Sequence, residues 1–431
     1  MPPTGLTMIN CSSKPDELSR PRGRDAPAAS LRALATTAAL VAGAVSLASE
    51  VVWTRALVFF VHNSTYAFSA ILAVYLLGIA AGALLAARFA RTPAIATRLL
   101  AAALAASAFA LVGAIAMYRH LPEVAALLAA GPPASPGAPG TTTTAMSLWS
   151  WGRALAIIFA QAAAVLFLPA ALLGVAFPLT LELAPASERP AALVGRLYAA
   201  NAVGSVAGAV LGTFVLVALL GTRGALLLLA WLPLPIALWA LHASLSAPRA
   251  RVLAAALVAA LAGSSLLAAP RGFYQQLFER RFGRVVWFSE GMTETVAVCE
   301  HTDGSRWIQF SDGRGASGTW SFQGGWLYAH LPLLLHPRPR SAAVVCFGTG
   351  NTLGAASLHG LETVDGIELS PEVVRAAPLF AATNHGVTTS GRARIVIEDG
   401  RSYMLATDRS YDVITEEPPL VHTAGVVNLY S

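Results

Sequence analysis

The chain has 431 residues, 55% of them hydrophobic and only 12% charged, with a formal net charge of +6. Soluble domains carry about 25% charged residues, so this composition excludes a chain that is water-soluble throughout. The deficit is local: residues 31–270 are almost free of Asp, Glu and Lys, whereas 271–431 have ordinary globular composition. The positive charge comes largely from arginines flanking apolar runs and reads as topology information rather than a nucleic-acid footprint. Cys11, Cys299 and Cys346 stand far apart with neither metal nor redox spacing, which argues against a disulfide framework. Cys346 is expected to be a small core residue of a strand.

Residues 1–30 are polar, with Pro, Ser and several arginines, and are expected to form a disordered tail. A secretory signal is the competing reading, but the apolar stretch that follows is too long and lacks a cleavage pattern. Residues 31–270 form a transmembrane domain of about seven helices, from stretches near the ~20 residues a bilayer needs. They cover roughly 33–60, 65–87, 95–118, 154–181, 193–220, 224–244 and 252–269. A Pro/Gly/Thr-rich loop over about 120–150 is too polar and broken to span. Arginines cluster on alternate connections: Arg20, Arg22, Arg24 and Arg32, then Arg88, Arg91 and Arg98, then Arg189 and Arg196, then Arg249 and Arg251. By the positive-inside rule this predicts a cytoplasmic N-terminus of a multi-pass cell-membrane protein. Seven crossings put the water-soluble part on the other side; if 252–269 does not cross, the two lie on the same side. The sequence leaves both open.

Gly204, Gly208 and Gly212 share one helix face, and Gly78 and Gly82 repeat the spacing. Small residues at that spacing let helix backbones touch, within the chain or in a homodimer. Glu50 and Arg55 lie in the first apolar stretch, as functional charges or as groups satisfied by a polar neighbour and by snorkelling. Gln161 and Asn201 read as interhelix hydrogen-bonding groups.

Residues 271–340 make a connector and a small antiparallel β subdomain. The segment 272–284 is polar-aromatic. Strands are expected at Val285–Phe288, Glu294–His301 and Ser305–Phe310, with Asp303-Gly304 as a hairpin turn. Residues 341–431 then read as an α/β Rossmann-like domain. Ala342–Phe347 is a short apolar run of the kind that forms a buried parallel strand, and Gly348-Thr349-Gly350 turns at once into a helix near Thr352–His359. A second apolar run, Glu362–Ile367, ends at Glu368. Gly348 and Glu368 stand about 20 residues apart, the spacing between a nucleotide-binding glycine turn and the carboxylate that takes the ribose hydroxyls. Ser370-Pro371 begins another helix, Ala393–Ile397 a third strand before Glu398-Asp399-Gly400-Arg401, and Tyr411–Thr415 a fourth before Glu416-Glu417. Strands alternating with helices predict a parallel sheet, and ligands bind beyond the carboxyl ends of such strands, where the glycine turn, Glu368, Asp399 and Glu417 all stand.

These residues resemble the spermidine synthase family, which shares the fold of class I S-adenosylmethionine-dependent methyltransferases. The resemblance covers about 285–431 and rests on HLPLLLHPRP at 330–339, CFGTGNT at 346–352, VDGIELS at 364–370, EDGR at 398–401 and YDVITEEPP at 411–419. With SEVVWTR at 49–55 and GRLYAANAVGSVAG at 195–208, the chain looks like the membrane-fused branch of that family. The resemblance implies aminopropyl transfer from decarboxylated S-adenosylmethionine, a co-substrate rather than a bound cofactor, to an amine acceptor, with no metal. It implies that Gly348 and Gly350 cradle the methionine portion, Glu368 holds the ribose, Asp399-Gly400 sits near the adenine amino group, and Glu417 stands where the family's catalytic aspartate deprotonates the attacking amine. Methyl transfer from S-adenosylmethionine, or a transporter or scaffold with a nucleoside-sensing domain, are the alternatives.

The departures bear on the acceptor. The family's aspartate-serine-serine-aspartate run is Glu417-Pro418-Pro419-Leu420 here, its tyrosine-histidine-glutamate is Gly324-Gly325-Trp326, and its N-terminal glutamine is Glu294. The chain stops four strands into a sheet that in this family has seven, so the α/β domain is expected to be incomplete at its C-terminus.

Overall fold

The computed structural model describes residues 25–61, 64–89, 92–129, 148–183, 189–245 and 247–417. Residues 1–24, 418–431 and much of the 120–150 loop, with Cys11, Arg20, Arg22, Arg24, Arg91 and Pro418 to Leu420, lie outside them.

Long apolar helices come first: α1 (Asp25–Val61), α2 (Thr65–Phe89), α3 (Pro93–Tyr118), α5 (Leu148–Glu182), α6 (Pro190–Leu211), α7 (Val217–Trp231), α8 (Pro233–Ser244) and α9 (Pro248–Ala268), with a short α4 (Leu121–Ala129) before α5. Among the described residues, six helical stretches are long and apolar enough to cross a bilayer. α1 begins at Asp25, inside the segment expected to be a tail, and α4 forms within the expected loop. Proline occupies the first turn of α3, α6, α8 and α9, where its missing N–H costs nothing.

The 55-residue stretch Pro190–Ser244 counts as one of the six, yet it is two legs. A π-helical turn at Gly212–Leu216 joins α6 to α7, and inside α7 Gly221 leaves helical geometry at φ 67°, ψ 170°. That left-handed conformation suits a residue without Cβ. It falls between the fifth and sixth stretches expected from hydropathy.

Glycines bring the helices together within the chain. A Cβ at Gly204 would lie 2.0 Å from the Leu40 carbonyl oxygen and one at Gly208 2.1 Å from that of Ala44, while Gly212 faces Ala48. Both numberings rise together, so α1 and α6 run parallel. Gly78 and Gly82 pack on α5 beside Ala170 and Ala171 in the same parallel sense. Gln161 donates to the Leu121 carbonyl at 3.0 Å, tying α5 to α4, and Asn201 sits against Gly43. The outward surface is apolar, with Leu84, Leu219 and Leu253 about three-quarters exposed.

The polar-aromatic connector is helical, α10 (Phe273–Phe282). A four-stranded antiparallel sheet follows, β1 (Arg284–Glu290), β2 (Thr295–Glu300), β3 (Arg306–Phe310) and β4 (Gly315–Gly318), in that order. β4 was not expected, because its GASG sequence carries no β-branched or aromatic signal. Helix α11 (Phe322–Leu335) leads to the second sheet: β5 (Ser341–Val345), α12 (Asn351–Ala356), β6 (Thr363–Glu368), α13 (Pro371–Ala376), a 3₁₀ turn (Ala377–Phe380), α14 (Ala381–Asn384), β7 (Arg394–Ile397), α15 (Gly400–Ala406) and β8 (Val413–Glu416). Its order is β7-β6-β5-β8 and every pairing is parallel. From β5 the chain proceeds to β6 and β7 on one side and then to β8 on the other, so the strand order reverses between β5 and β8, where ligands of such sheets bind.

The bundle shares an apolar core with α10 and the antiparallel sheet, while the parallel sheet packs in clusters separate from it. Trp53, Phe59 and Tyr118 from the bundle pack in the same cluster as Tyr274 and Phe278 of α10 and Cys299 of β2. The sheets therefore sit on the end of the bundle where α1 and α3 finish, opposite the start of α1.

Candidate active site

The site gathers at the carboxyl ends of β5, β6, β7 and β8. β5 ends at Val345 and the chain turns through Cys346 (φ 67°), Gly348 (φ 55°) and Gly350 (φ 81°) into α12. At Gly350 a Cβ would lie 2.7 Å from the Phe347 ring. The turn is clamped from both sides. Ser317 of β4 meets Thr349 at 2.8 Å side chain to side chain and accepts its N–H at 3.2 Å. Asn384 of α14 donates to the Thr349 and Ala377 carbonyls at 2.8 and 2.9 Å.

Glu368, the last residue of β6, is fixed by its neighbours. Oε2 accepts the Phe347 N–H at 3.0 Å and Oε1 the Ser370 N–H at 2.9 Å. Burial pushes its carboxyl up, against backbone donors at Ser370, Gly348, Phe347 and Leu369 that pull it down. A carboxylate so oriented has further lone pairs to accept two vicinal hydroxyls. Asp399 caps α15, its Oδ1 accepting the Ser402 N–H at 2.8 Å, and Gly400 opens that helix. It is both the helix cap expected of a turn residue and a carboxylate at the strand ends. Glu417 follows β8, exposed, with its N–H toward the Val345 carbonyl.

Cys346 reports how these groups converge. It is not a core residue of β5 but lies just past it, and its thiol is pushed up to about 12 by burial and then by Glu368, Glu416, Glu417 and Asp399. Glu368, Glu416, Glu417 and Asp399 all stand at the carboxyl ends of strands of this sheet. Glu294 belongs to the same field, from the turn between β1 and β2. Its carboxyl is pushed up to about 8, by burial first and then by Glu368, Asp312 and Glu372, although Arg314 opposes this from 3.7 Å. Such a concentration of negative charge favours a bound cation.

Sequence reasoning passed over Asn351. It opens α12, is 3% exposed, and neither its Nδ2 nor its Oδ1 has a partner. A buried amide with nothing to bond is costly, and its place beside the glycine turn marks a position for a ligand's polar group. Its signal was available, since it directly follows the second turn glycine. Gly325 explains one departure noted above: a Cβ there would lie 3.0 Å from Asn351 Cβ and 3.1 Å from Thr352 Oγ1. The start of α11 thus closes directly on α12. Trp326 turns away, donating to the Thr383 carbonyl at 2.8 Å and stacking on His385. No group of three or more potential metal ligands occurs among the described residues.

Comparison with known proteins agrees with these elements. Residues 327–419 match the family model of the spermine/spermidine synthase domain. The polyamine aminopropyltransferase of Methanocaldococcus jannaschii is 33% identical over 94 residues, 22% of this chain and 32% of that protein. Polyamine aminopropyltransferase 1 of Aquifex aeolicus is 31% identical over 87 residues, 20% of this chain and 31% of that protein. Among solved structures, spermidine synthase from Thermotoga maritima is similar at 26% identity with a TM-score of 0.30, covering 32% of this chain and 49% of that one. The chain thus spans about a third of the length of these curated relatives. The likeness to the spermine/spermidine synthase domain is confined to the C-terminal region, over 327–419.

Proposed function

We propose that this protein is a membrane-embedded aminopropyltransferase, taking decarboxylated S-adenosylmethionine as donor and an amine as acceptor. The observation that carries this is the placement of Glu368, Asp399 and Glu417 at the carboxyl ends of β6, β7 and β8, beside the glycine turn that follows β5. The donor is a sulfonium and the acceptor an ammonium, and both cations are favoured there. Glu368 takes the ribose hydroxyls, the Gly348–Gly350 turn and Asn351 face the chain attached to sulfur, and Asp399 stands toward the base. Glu417 removes a proton from the acceptor, whose nitrogen then attacks the aminopropyl carbon bonded to sulfur. The C–S bond breaks, its electron pair neutralises the sulfonium, and 5′-methylthioadenosine leaves. Fixed carboxylates hold both reactants in line, a proximity effect.

The test uses the full chain in detergent with decarboxylated S-adenosylmethionine and a panel of amines. Release of 5′-methylthioadenosine with an aminopropylated amine is expected, and Glu417→Gln should lower turnover by about 100-fold or more while donor binding persists. S-adenosylhomocysteine released from S-adenosylmethionine instead would make the site a methyltransferase. Transport of a polyamine unaffected by Glu417→Gln would leave the enzyme reading without support.

The apolar outer surface and the lengths of the helices support seven crossings, with the break at Gly221 separating the fifth from the sixth. The arginine-rich connections then lie on the face away from the sheets. Single cysteines at Arg189 and at Asp303 should therefore react with an impermeant thiol reagent from opposite sides of sealed vesicles. Labelling from the same side would remove one crossing.

A further inference from the structure

The Ser49–Arg55 motif of α1 takes no part in the chemistry above, yet the structure leads from it to the donor site. Arg55 stands near the end of α1. Its Nη1 donates to the Met292 carbonyl at 2.7 Å and its Nη2 to the Gly291 carbonyl. Those two carbonyls belong to the turn between β1 and β2, 236 residues away in sequence. On its other side the turn presses on α13: a Cβ at Gly291 would lie 2.0–2.4 Å from the Glu372 carboxylate atoms. Glu372 is 4% exposed, accepts from Arg375 at 2.6 Å and takes the Ser370 hydroxyl at 3.2 Å. The Ser370 N–H in turn holds Glu368 Oε1. The same turn ends in Glu294, which shares the electrostatic field of Glu368.

A second anchor lies at the start of the turn. Glu290 Oε2 accepts the Thr222 N–H at 2.7 Å, immediately after the break at Gly221, and a Cβ at Gly221 would come within 2.9 Å of Glu290 Oε1. The first half of one short turn, Glu290 to Met292, is thus held by backbone and guanidinium groups of the bundle, and Gly291 within it rests on Glu372, which meets Glu368 through Ser370.

We infer that Arg55 is a positioning residue of the aminopropyltransferase site: through the 290–294 turn the membrane bundle sets the placement of Glu294, Glu372 and Glu368, so the donor site is complete only when the bundle is assembled. A guanidinium suits this because it is permanently charged and reaches two carbonyls in one plane. Two carbonyls turned toward one cation also keep the turn's polar groups satisfied. Contiguous contacts of this kind couple distant sites when the intervening element can take two placements.

The kinetic part of the test rests on the aminopropyltransferase reading, so it is paired with a measurement that does not. The full chain is compared with Arg55→Ala, Arg55→Lys and Gly291→Ala in nanodiscs, by hydrogen–deuterium exchange and by steady-state kinetics. In Arg55→Ala, exchange should quicken at 290–296 and again at 368–373, without change at β7 or β8. The KM for decarboxylated S-adenosylmethionine should rise about tenfold with a smaller fall in kcat. Arg55→Lys, which can reach one carbonyl, should restore part of the KM, and Gly291→Ala, which disturbs the same contact from the other side, should reproduce the loss. Exchange that quickens only within α1, or a KM within twofold of the parent in Arg55→Ala and in Gly291→Ala, would overturn the inference. If the parent chain neither binds nor turns over the donor, the functional reading fails while the exchange pattern still decides the coupling.

Discussion

The bundle and the parallel sheet solve the same problem, bringing backbones together, by opposite means. In the bundle the contacts are made by absence: Gly204, Gly208 and Gly82 let a neighbouring carbonyl approach to where a Cβ would be. In the membrane setting proposed above, lipid gives helices no hydrophobic reason to associate, so close van der Waals packing has to supply it. In the sheet the strands are held by a ladder of hydrogen bonds, and the polar groups that matter stand at its ends. One buried charge sits inside that sheet, Asp365 of β6. It accepts from Arg394 at 2.9 and 2.7 Å and from the Tyr411 hydroxyl at 2.6 Å. The comparison teaches that Gly204, Gly208 and Gly82 are packing residues, whereas Gly348 and Gly350 take positive φ in a tight turn, which the proposed function assigns to the approach of a ligand.

Substitutions can break that contrast, beginning with the largest effect. Glu368→Gln replaces one acceptor oxygen by a donor facing the N–H of Phe347 or Ser370, and removes the charge that the proposed function sets against the ribose. Affinity for 5′-methylthioadenosine should fall about 100-fold or more by calorimetry, with the bundle's melting unchanged. Asp365→Asn should destabilise the sheet by about 1–2 kcal/mol, since it removes the buried anion that the half-exposed Arg394 and Arg409 and the Tyr411 hydroxyl share. Burial alone would raise the Asp365 carboxyl, but Arg394, Tyr411 and Arg409 outweigh it and hold it below the usual range. A depressed carboxyl contributes stability above its unfolded value and loses it as pH falls toward the folded value. Acid unfolding of the parent should therefore steepen below about pH 4, and flatten in the variant.

Gly208→Val should cost about 1–3 kcal/mol by forcing α6 off α1, measured as loss of thermal stability with nucleoside binding retained. The smallest effect concerns Glu294. Its carboxyl is raised to about 8, so without ligand the folded state loses stability as pH rises from the ordinary carboxyl range through that value. A bound sulfonium favours the carboxylate. Donor binding near neutral pH should therefore release up to about one proton, seen as a dependence of the calorimetric heat on buffer ionisation enthalpy and lost in Glu294→Gln.

Most elements were legible because they depend on near neighbours. The 2- and 3.6-residue periodicities, proline in first turns and glycine in positive-φ turns locate β5 to β8 and the long helices within a few residues. β4 was not legible, because a short strand of small residues forms only when β3 offers it an edge. Nor was α10, whose aromatic face has no evident partner until Phe59 of α1 arrives at 5.0 Å from Phe278. In the site, Gly348, Gly350 and Glu368 follow from spacing along the chain. Cys346, expected in the strand, lies outside it because φ 67° ends the strand one residue early.

The sequence by itself determined that an apolar helical part precedes a parallel α/β domain, and that a glycine turn and a carboxylate stand about 20 residues apart at its strand ends. Those properties are set by local sterics, hydrogen bonding and the period of apolar residues. Only the tertiary structure decided what Arg55 does. Composition presents it as a costly charge near the end of a span, and its meaning comes from two carbonyls, at Gly291 and Met292, that reach it only when the domain docks on the bundle. Contacts between such distant segments depend on the placement of whole elements, which no local pattern encodes.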